Sequence, residues 1–305
     1  MANLSSTNMA FSGFGLVTGK PVMMLGWAFI YAAFTIVWGG LAVAMVGPQL
    51  AALASAQANG ETQNPTAALG MLAQLGPFYL LTLLIGLAIG AVITVSAYRA
   101  ILHPDQGGPL YLAFGGPELR QILLSFILFL LFMAAYIGVA IVIGIFVGIG
   151  AAAGGGNSAL TGLLVFIGVI AALCGFVWFF TRMSLAGPAT FAQDKLVVFG
   201  SMALTRGKFW ALFGGYLLAW VFIFILGCII LAVSVGLTLG SVGFDLQAIN
   251  RANAARMSSL GAMFAPMQIV AIVINSFLIS GLYALFFAPA AYAYRALTDA
   301  ATAFD

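Results

Sequence analysis

The sequence predicts an all-α fold: a polytopic integral membrane bundle of six transmembrane helices, with residues 1–305 forming one transmembrane domain. Three observations carry that reading. Charged residues make up 6% of the chain and hydrophobic residues 64%, whereas a soluble domain carries about 25% charged residues. The mean hydropathy is +1.16. Apolar runs recur along the chain at about the 20-residue length that a membrane-spanning helix requires.

The runs cover 22–46, 78–98, 122–149, 160–181, 209–236 and 266–294. None alternates apolar with polar residues over about ten positions, as a barrel strand would. A helix also satisfies its own backbone hydrogen bonds where water is absent. The first run is too long for the apolar core of a cleaved signal peptide, about 7–15 residues, so it is expected to remain as a span. The intervening stretches 47–77, 150–159 and 237–265 are expected to be loops, the last holding a short amphipathic helix. Cys174 and Cys228 fall in apolar runs and are expected to be reduced packing residues.

Basic residues set the orientation. Lys20, Arg99, Arg120, Arg182, Lys195, Arg206, Lys208 and Arg295 fall on one side of the six-span layout, and only Arg251 and Arg256 on the other. Basic residues stay cytoplasmic, which places both termini there. A net charge of +3, thinly spread, does not describe a nucleic-acid surface.

The chain also repeats itself. Leu16, Gly19 and Lys20 recur as Leu204, Gly207 and Lys208, and Gly26 and Gly39 recur as Gly214 and Gly227 at the same offset. A weaker copy begins near Phe114, with Arg120 in the lysine's place, and the second and sixth spans both end in Tyr-Arg, at Tyr98–Arg99 and Tyr294–Arg295. Three helical hairpins with cytoplasmic interfacial helices are the expected consequence. Span four departs from the pattern, since its 186–189 stretch instead resembles 287–290 in span six.

Titratable chemistry is scarce. No Ser or Cys nucleophile has an evident base, Gly154, Gly155 and Gly156 lack the Lys-Ser/Thr of a phosphate loop, and His103 stands alone as the only histidine. No catalytic residue, metal site or cofactor is expected. The acidic residues Glu61, Asp105, Glu118, Asp194, Asp245, Asp299 and Asp305 all read as loop or terminal, which argues against a proton- or sodium-coupled carrier. Small residues recur every four positions in three spans: Thr82, Gly86, Gly90, Thr94; Ala140, Gly144, Gly148; and Ser276, Ser280, Ala284, Ala288. Such stripes are expected to be helix-packing seams. Asn275 is the expected intramembrane polar contact, while Lys20, Arg120, Arg182, Arg206, Lys208 and Arg295 form a candidate ring for anionic lipid headgroups.

One stretch carries a family likeness. Arg182, Ser184, Leu185, Pro188 and Ala189, followed by Ser201, Leu204, Thr205, Gly207, Phe209 and Trp210, resemble a bacterial membrane-protein family. That family includes the membrane domain attached to some glycerophosphoryl diester phosphodiesterases. The resemblance implies a six-span layout but no catalytic residue, because in fused members the chemistry belongs to a separate soluble domain. The expected function is therefore a non-enzymatic protein of the bacterial inner membrane, acting in envelope homeostasis with membrane lipids or other membrane proteins as partners. A transporter or channel for a lipid-like solute and an accessory subunit of a larger complex are the alternatives.

Overall fold

A computed structural model describes residues 4–58, 65–105, 108–154, 158–243 and 259–302. Its regular elements are all helices: α1 (Ser6–Gly19), α2 (Pro21–Ala58), α3 (Pro65–Leu102), α4 (Gly116–Gly154), α5 (Ser158–Met183), α6 (Ala186–Ala192), α7 (Gly200–Leu204), α8 (Phe209–Val242), α9 (Leu260–Met263) and α10 (Pro266–Thr302). Six stretches are long and apolar enough to cross a membrane: Pro21–Gln49, Leu75–Leu102, Gly116–Ala152, Thr161–Ala192, Phe209–Leu237 and Pro266–Asp299. Each overlies one predicted span, so the protein is a multi-pass membrane bundle.

Local sequence chooses the breaks. Ser5 caps α1 by accepting from the Asn8 N–H at 3.3 Å. The residue before a proline is biased away from helical geometry, and Lys20 stands at φ −133°, ψ 58° ahead of Pro21, the first residue of α2. The Gly115 N–H donates to Glu118 Oε2 at 2.9 Å, closing the start of α4. Gly207 turns the chain into α8 with φ +73°, a conformation open mainly to glycine.

The last helix organises the bundle. α10 packs against α1, α2, α3, α6 and α8, and its stripe Ser276, Ser280, Ala284, Ala288 is buried throughout. The two serines donate to their own helix, Ser276 to the Ile272 carbonyl (2.6 Å) and Ser280 to that of Phe277 (2.7 Å). At Gly13 of α1 a Cβ would lie 2.7 Å from Leu285 Cα, so here two backbones meet directly. Leu4 and Met9 share a core with Ala293 and Tyr294. The start of α1 and the end of α10 therefore lie on one face of the bundle, called the terminal face below.

Several expectations change. Residues 47–77 are not simply a loop: α2 runs to Ala58 and α3 starts at Pro65. Alanine is the best helix former, and the Ala-rich 51–58 stretch carries α2 to 38 residues, about 57 Å against a hydrocarbon core of about 30 Å. Helix likewise takes up most of 150–159; among the described residues of 237–265 a four-residue helix, α9, follows the end of α8, while 244–258, with Arg251 and Arg256, lie outside the described residues. Glu118 belongs not to a loop but to the first turn of α4, where it is fully buried. Cys174 and Cys228 are free but exposed on the apolar surface rather than packed.

The three proposed hairpins are not equivalent. α4 and α5 pack closely, as do α8 and α10, whereas α2 and α3 meet sparsely. Trp27 and Trp38 of α2 bridge that wider gap, donating to Ser96 (3.0 Å) and Thr82 (3.1 Å) of α3. Lys20 and Lys208 each mark the break before a long helix, but Arg120 lies inside α4, with no break beside it.

The α1–α10 contact yields a paired test. Gly13→Ala places a methyl against the Leu285 backbone, where no rotamer change gives relief, and should cost about 1–3 kcal/mol. Gly15→Ala, on the same helix with no atom within 4 Å, gains the same helix propensity without the clash. Thermal unfolding in mild detergent should show a lower midpoint for the first variant and an unchanged or higher one for the second.

Candidate functional site

On the terminal face the loop between α3 and α4 is clasped by charge. Arg99 Nη2 pairs with Glu118 Oε1 at 2.7 Å, and the Glu118 side chain is 1% exposed. Arg99 Nη1 also donates to the Tyr111 carbonyl (2.7 Å). Tyr111 sits at φ 52°, rare for a side chain other than glycine. Its hydroxyl accepts from Lys20 Nζ (2.7 Å) and donates to the Pro104 carbonyl (2.8 Å). The His103 ring lies tilted against Phe191, with ring centres 5.7 Å apart.

Four of the six basic residues of the expected ring have separate engagements. Lys20 is held by Tyr111, Arg120 pairs with Asp194, and the Arg182 guanidinium lies 5.8 Å from the centre of the Trp178 ring. Arg295 donates to the Ile101 carbonyl at 3.1 Å and pairs with Asp299 at 3.5 Å. Arg206 is exposed and Lys208 half-buried at the start of α8. The six share a membrane face but are not drawn to a common partner.

The stretch 182–205 knits itself together. Ser201 Oγ donates to the Arg182 carbonyl at 2.6 Å, tying α7 to the end of α5. Thr190 Oγ1 accepts from the Val197 N–H at 3.0 Å. Gly187 lets the Tyr98 hydroxyl come so close that any Cβ there would collide with it. α6 is thereby held against α3, α4 and α10.

These elements surround a cavity of about 590 Å³ between α3, α4, α5, α6, α8 and α10. Thr82, Gly86, Gly90, Thr94 and Tyr98 supply its α3 wall, whose ends lie about 24 Å apart along the helix. No atom lies within 4 Å of a Cβ built at Gly86 or Gly90. The expected packing seam is thus a cavity wall, and its glycines widen a space instead of admitting a neighbouring helix. The Ala140, Gly144, Gly148 stripe is no seam either: Gly144 and Gly148 meet nothing within 4 Å, and all three residues are exposed. Only the α10 stripe packs as expected. Trp220 and Phe286 are 50% and 44% exposed at the rim, so the cavity is not sealed.

Wall and floor differ in their polar groups. On the wall, Thr82 and Thr94 donate to the Phe78 and Gly90 carbonyls of their own helix (2.8 and 2.6 Å). The floor, toward the terminal face, is made by Tyr98, Gln121, Ser125, Ser184 and Tyr216. Ser184 Oγ already donates to the Thr181 carbonyl at 2.8 Å. Gln121 is 5% exposed, and its Oε1 has no hydrogen-bond partner. The Tyr216 hydroxyl is buried against Ser184 without completing a hydrogen bond to it. No lining residue is charged.

Asn275 lies elsewhere. It accepts from Ser234 Oγ at 3.2 Å and lines a second cavity of about 360 Å³ with Tyr31, Thr35 and Gln268, between α2, α8 and α10. Sequence reasoning named Asn275 as an intramembrane polar contact. It missed the floor, because Gln121 stands just outside the predicted 122–149 run and looks like a flank, and Tyr216 looks like one more aromatic in an apolar span. Comparison with models of known protein families, with curated proteins and with solved structures finds no match.

Glu118→Gln leaves the Arg99 charge without its buried partner and should cost about 3–5 kcal/mol, while Asp194→Asn, which removes the exposed partner of Arg120, should cost at most about 1 kcal/mol. Thermal midpoints in detergent compare the two. Gly90→Leu should leave the midpoint unchanged or raised, because the side chain enters open space; a large drop would mean that the α3 face packs tightly after all.

Proposed function

We propose that this protein is a non-enzymatic, multi-pass protein of the bacterial inner membrane that binds an amphipathic, lipid-like molecule between its helices. The observation that carries this reading is the cavity itself, with an apolar wall and a polar floor on which Gln121 Oε1 and the Tyr216 hydroxyl have no hydrogen-bond partner. Buried polar atoms in native proteins nearly always have partners, and in a bilayer water is not at hand to supply them. Ligand sites share this design of apolar walls with a few placed polar groups, in a range of about 300–1,000 Å³. The role would be in membrane or envelope homeostasis, with membrane lipids as partners. The likeness of 182–189 and 201–210 to the membrane domain of glycerophosphoryl diester phosphodiesterases fits a shared membrane scaffold, since Ser184 and Gly187 of that stretch line the cavity. A carrier for the same molecule is the second reading, favoured by the unsealed rim.

Native mass spectrometry of protein released from mild detergent tests the proposal. Wild type should retain a small amphiphile that Gly90→Leu, with its cavity filled, retains several-fold less. Equal retention by both, or none by either, would remove the reading.

Orientation is tested separately. Eight of the ten basic residues stand at the terminal face in the six-span layout, which we assign to the cytoplasm. With Cys174 and Cys228 replaced, a cysteine at Thr62 should react with an impermeant reagent in intact spheroplasts, and one at Thr298 only after lysis. Thr62 lies outside the described residues. Labelling at Thr298 from outside would reverse the assignment.

A further inference from the structure

We propose that the molecule held in the cavity is a single-chain amphiphile with an uncharged, hydroxyl-bearing headgroup, recognised by Gln121 of α4 and Tyr216 of α8. The inference rests on the cavity being an amphiphile site and names what that site selects. Its first ground is the floor. Gln121 is 95% buried (5% exposed), and its carboxamide brings an unpartnered oxygen to the cavity. A carboxamide offers both an acceptor and donors, and a tyrosine hydroxyl offers one of each. A hydroxyl headgroup, itself donor and acceptor, satisfies both side chains, and it does so with either orientation of the amide.

The second ground is charge. All the lining residues are neutral. The nearest cations along the chain stand outside the lining: Arg99 pairs with Glu118, Arg120 with Asp194, and Arg182 faces the Trp178 ring, the Nε atoms of the last two being buried without a hydrogen-bond partner. A phosphate or ammonium group placed on the floor would be buried without a counter-ion among the lining residues, which is far costlier than burying a hydroxyl.

The third ground is shape. Gly86 and Gly90 leave open space along α3 above the floor, and the wall threonines are satisfied by their own helix. The wall therefore asks for hydrocarbon and nothing else. A volume of about 590 Å³ is that of one compact ligand. The chain would lie along α3 with its headgroup toward the terminal face.

The test is a competition experiment on purified full-length protein in mild detergent. Radiolabelled monoacylglycerol is displaced by unlabelled monoacylglycerol, by its phosphorylated counterpart, or by an alkyltrimethylammonium of equal chain length. Monoacylglycerol should compete at least tenfold better than either charged compound. Gln121→Leu should weaken monoacylglycerol binding by roughly tenfold, the effect of one lost buried hydrogen bond, and narrow that preference. Phosphorylated competitor binding as well as, or better than, monoacylglycerol overturns the neutral-headgroup inference while leaving the cavity an amphiphile site. Failure of all three to bind overturns both. Should Gln121→Leu not fold, the ranking of competitors on wild type alone decides the matter.

Discussion

The structure is governed by the absence of water from the bilayer interior. Each polar group taken into the hydrocarbon must find its partner within the protein, or the bundle loses several kcal/mol. Nearly every intramembrane side chain described above obeys this. Thr82, Thr94, Ser276 and Ser280 return their protons to carbonyls of their own helices. Trp27 and Trp38 cross to α3, and Asn275 accepts from Ser234. Among the described residues four buried atoms depart from it: the Gln121 oxygen, the Tyr216 hydroxyl and the Nε atoms of Arg120 and Arg182. The first two lie at one end of one cavity, which makes that pair a site.

The same constraint explains the charged clasp. Glu118 is buried and can be so only because Arg99 pairs with it and the Gly115 N–H donates to it. Tyr111 then gathers Arg99, Lys20 and Pro104 around one residue. Charges are thus concentrated at the terminal face, where Arg99, Arg120 and Arg295 are paired, while the cavity just inside it is lined by neutral groups. Anchoring and recognition are separated by depth in the membrane.

Architecture was legible in the sequence because it follows from length and apolarity, which are local properties. All six spans were found. Helix ends were harder, since Ala-rich flanks continue a helix beyond the hydrocarbon without changing its apolar content. The small-residue stripes show most clearly where pattern stops. Gly90 on α3, Gly144 on α4 and Ala284 on α10 occupy equivalent places in equivalent motifs. One lines a cavity, one is exposed on the apolar surface and one packs. What separates them is the neighbouring helix, which no four-residue period encodes. Gln121 and Tyr216 come from α4 and α8, 95 positions apart, so their convergence was likewise invisible until the chain was folded.

The account depends on the cavity being occupied by an amphiphile oriented by its floor. A cryo-electron microscopy map of the protein in lipid nanodiscs made from native membrane examines that directly. It should show an elongated density along Gly86 and Gly90 whose end lies within hydrogen-bonding distance of Gln121 and Tyr216. A map in which side chains from α3, α8 and α10 close over this space, with Gln121 and Tyr216 bonded to each other or to neighbouring protein groups, would contradict it.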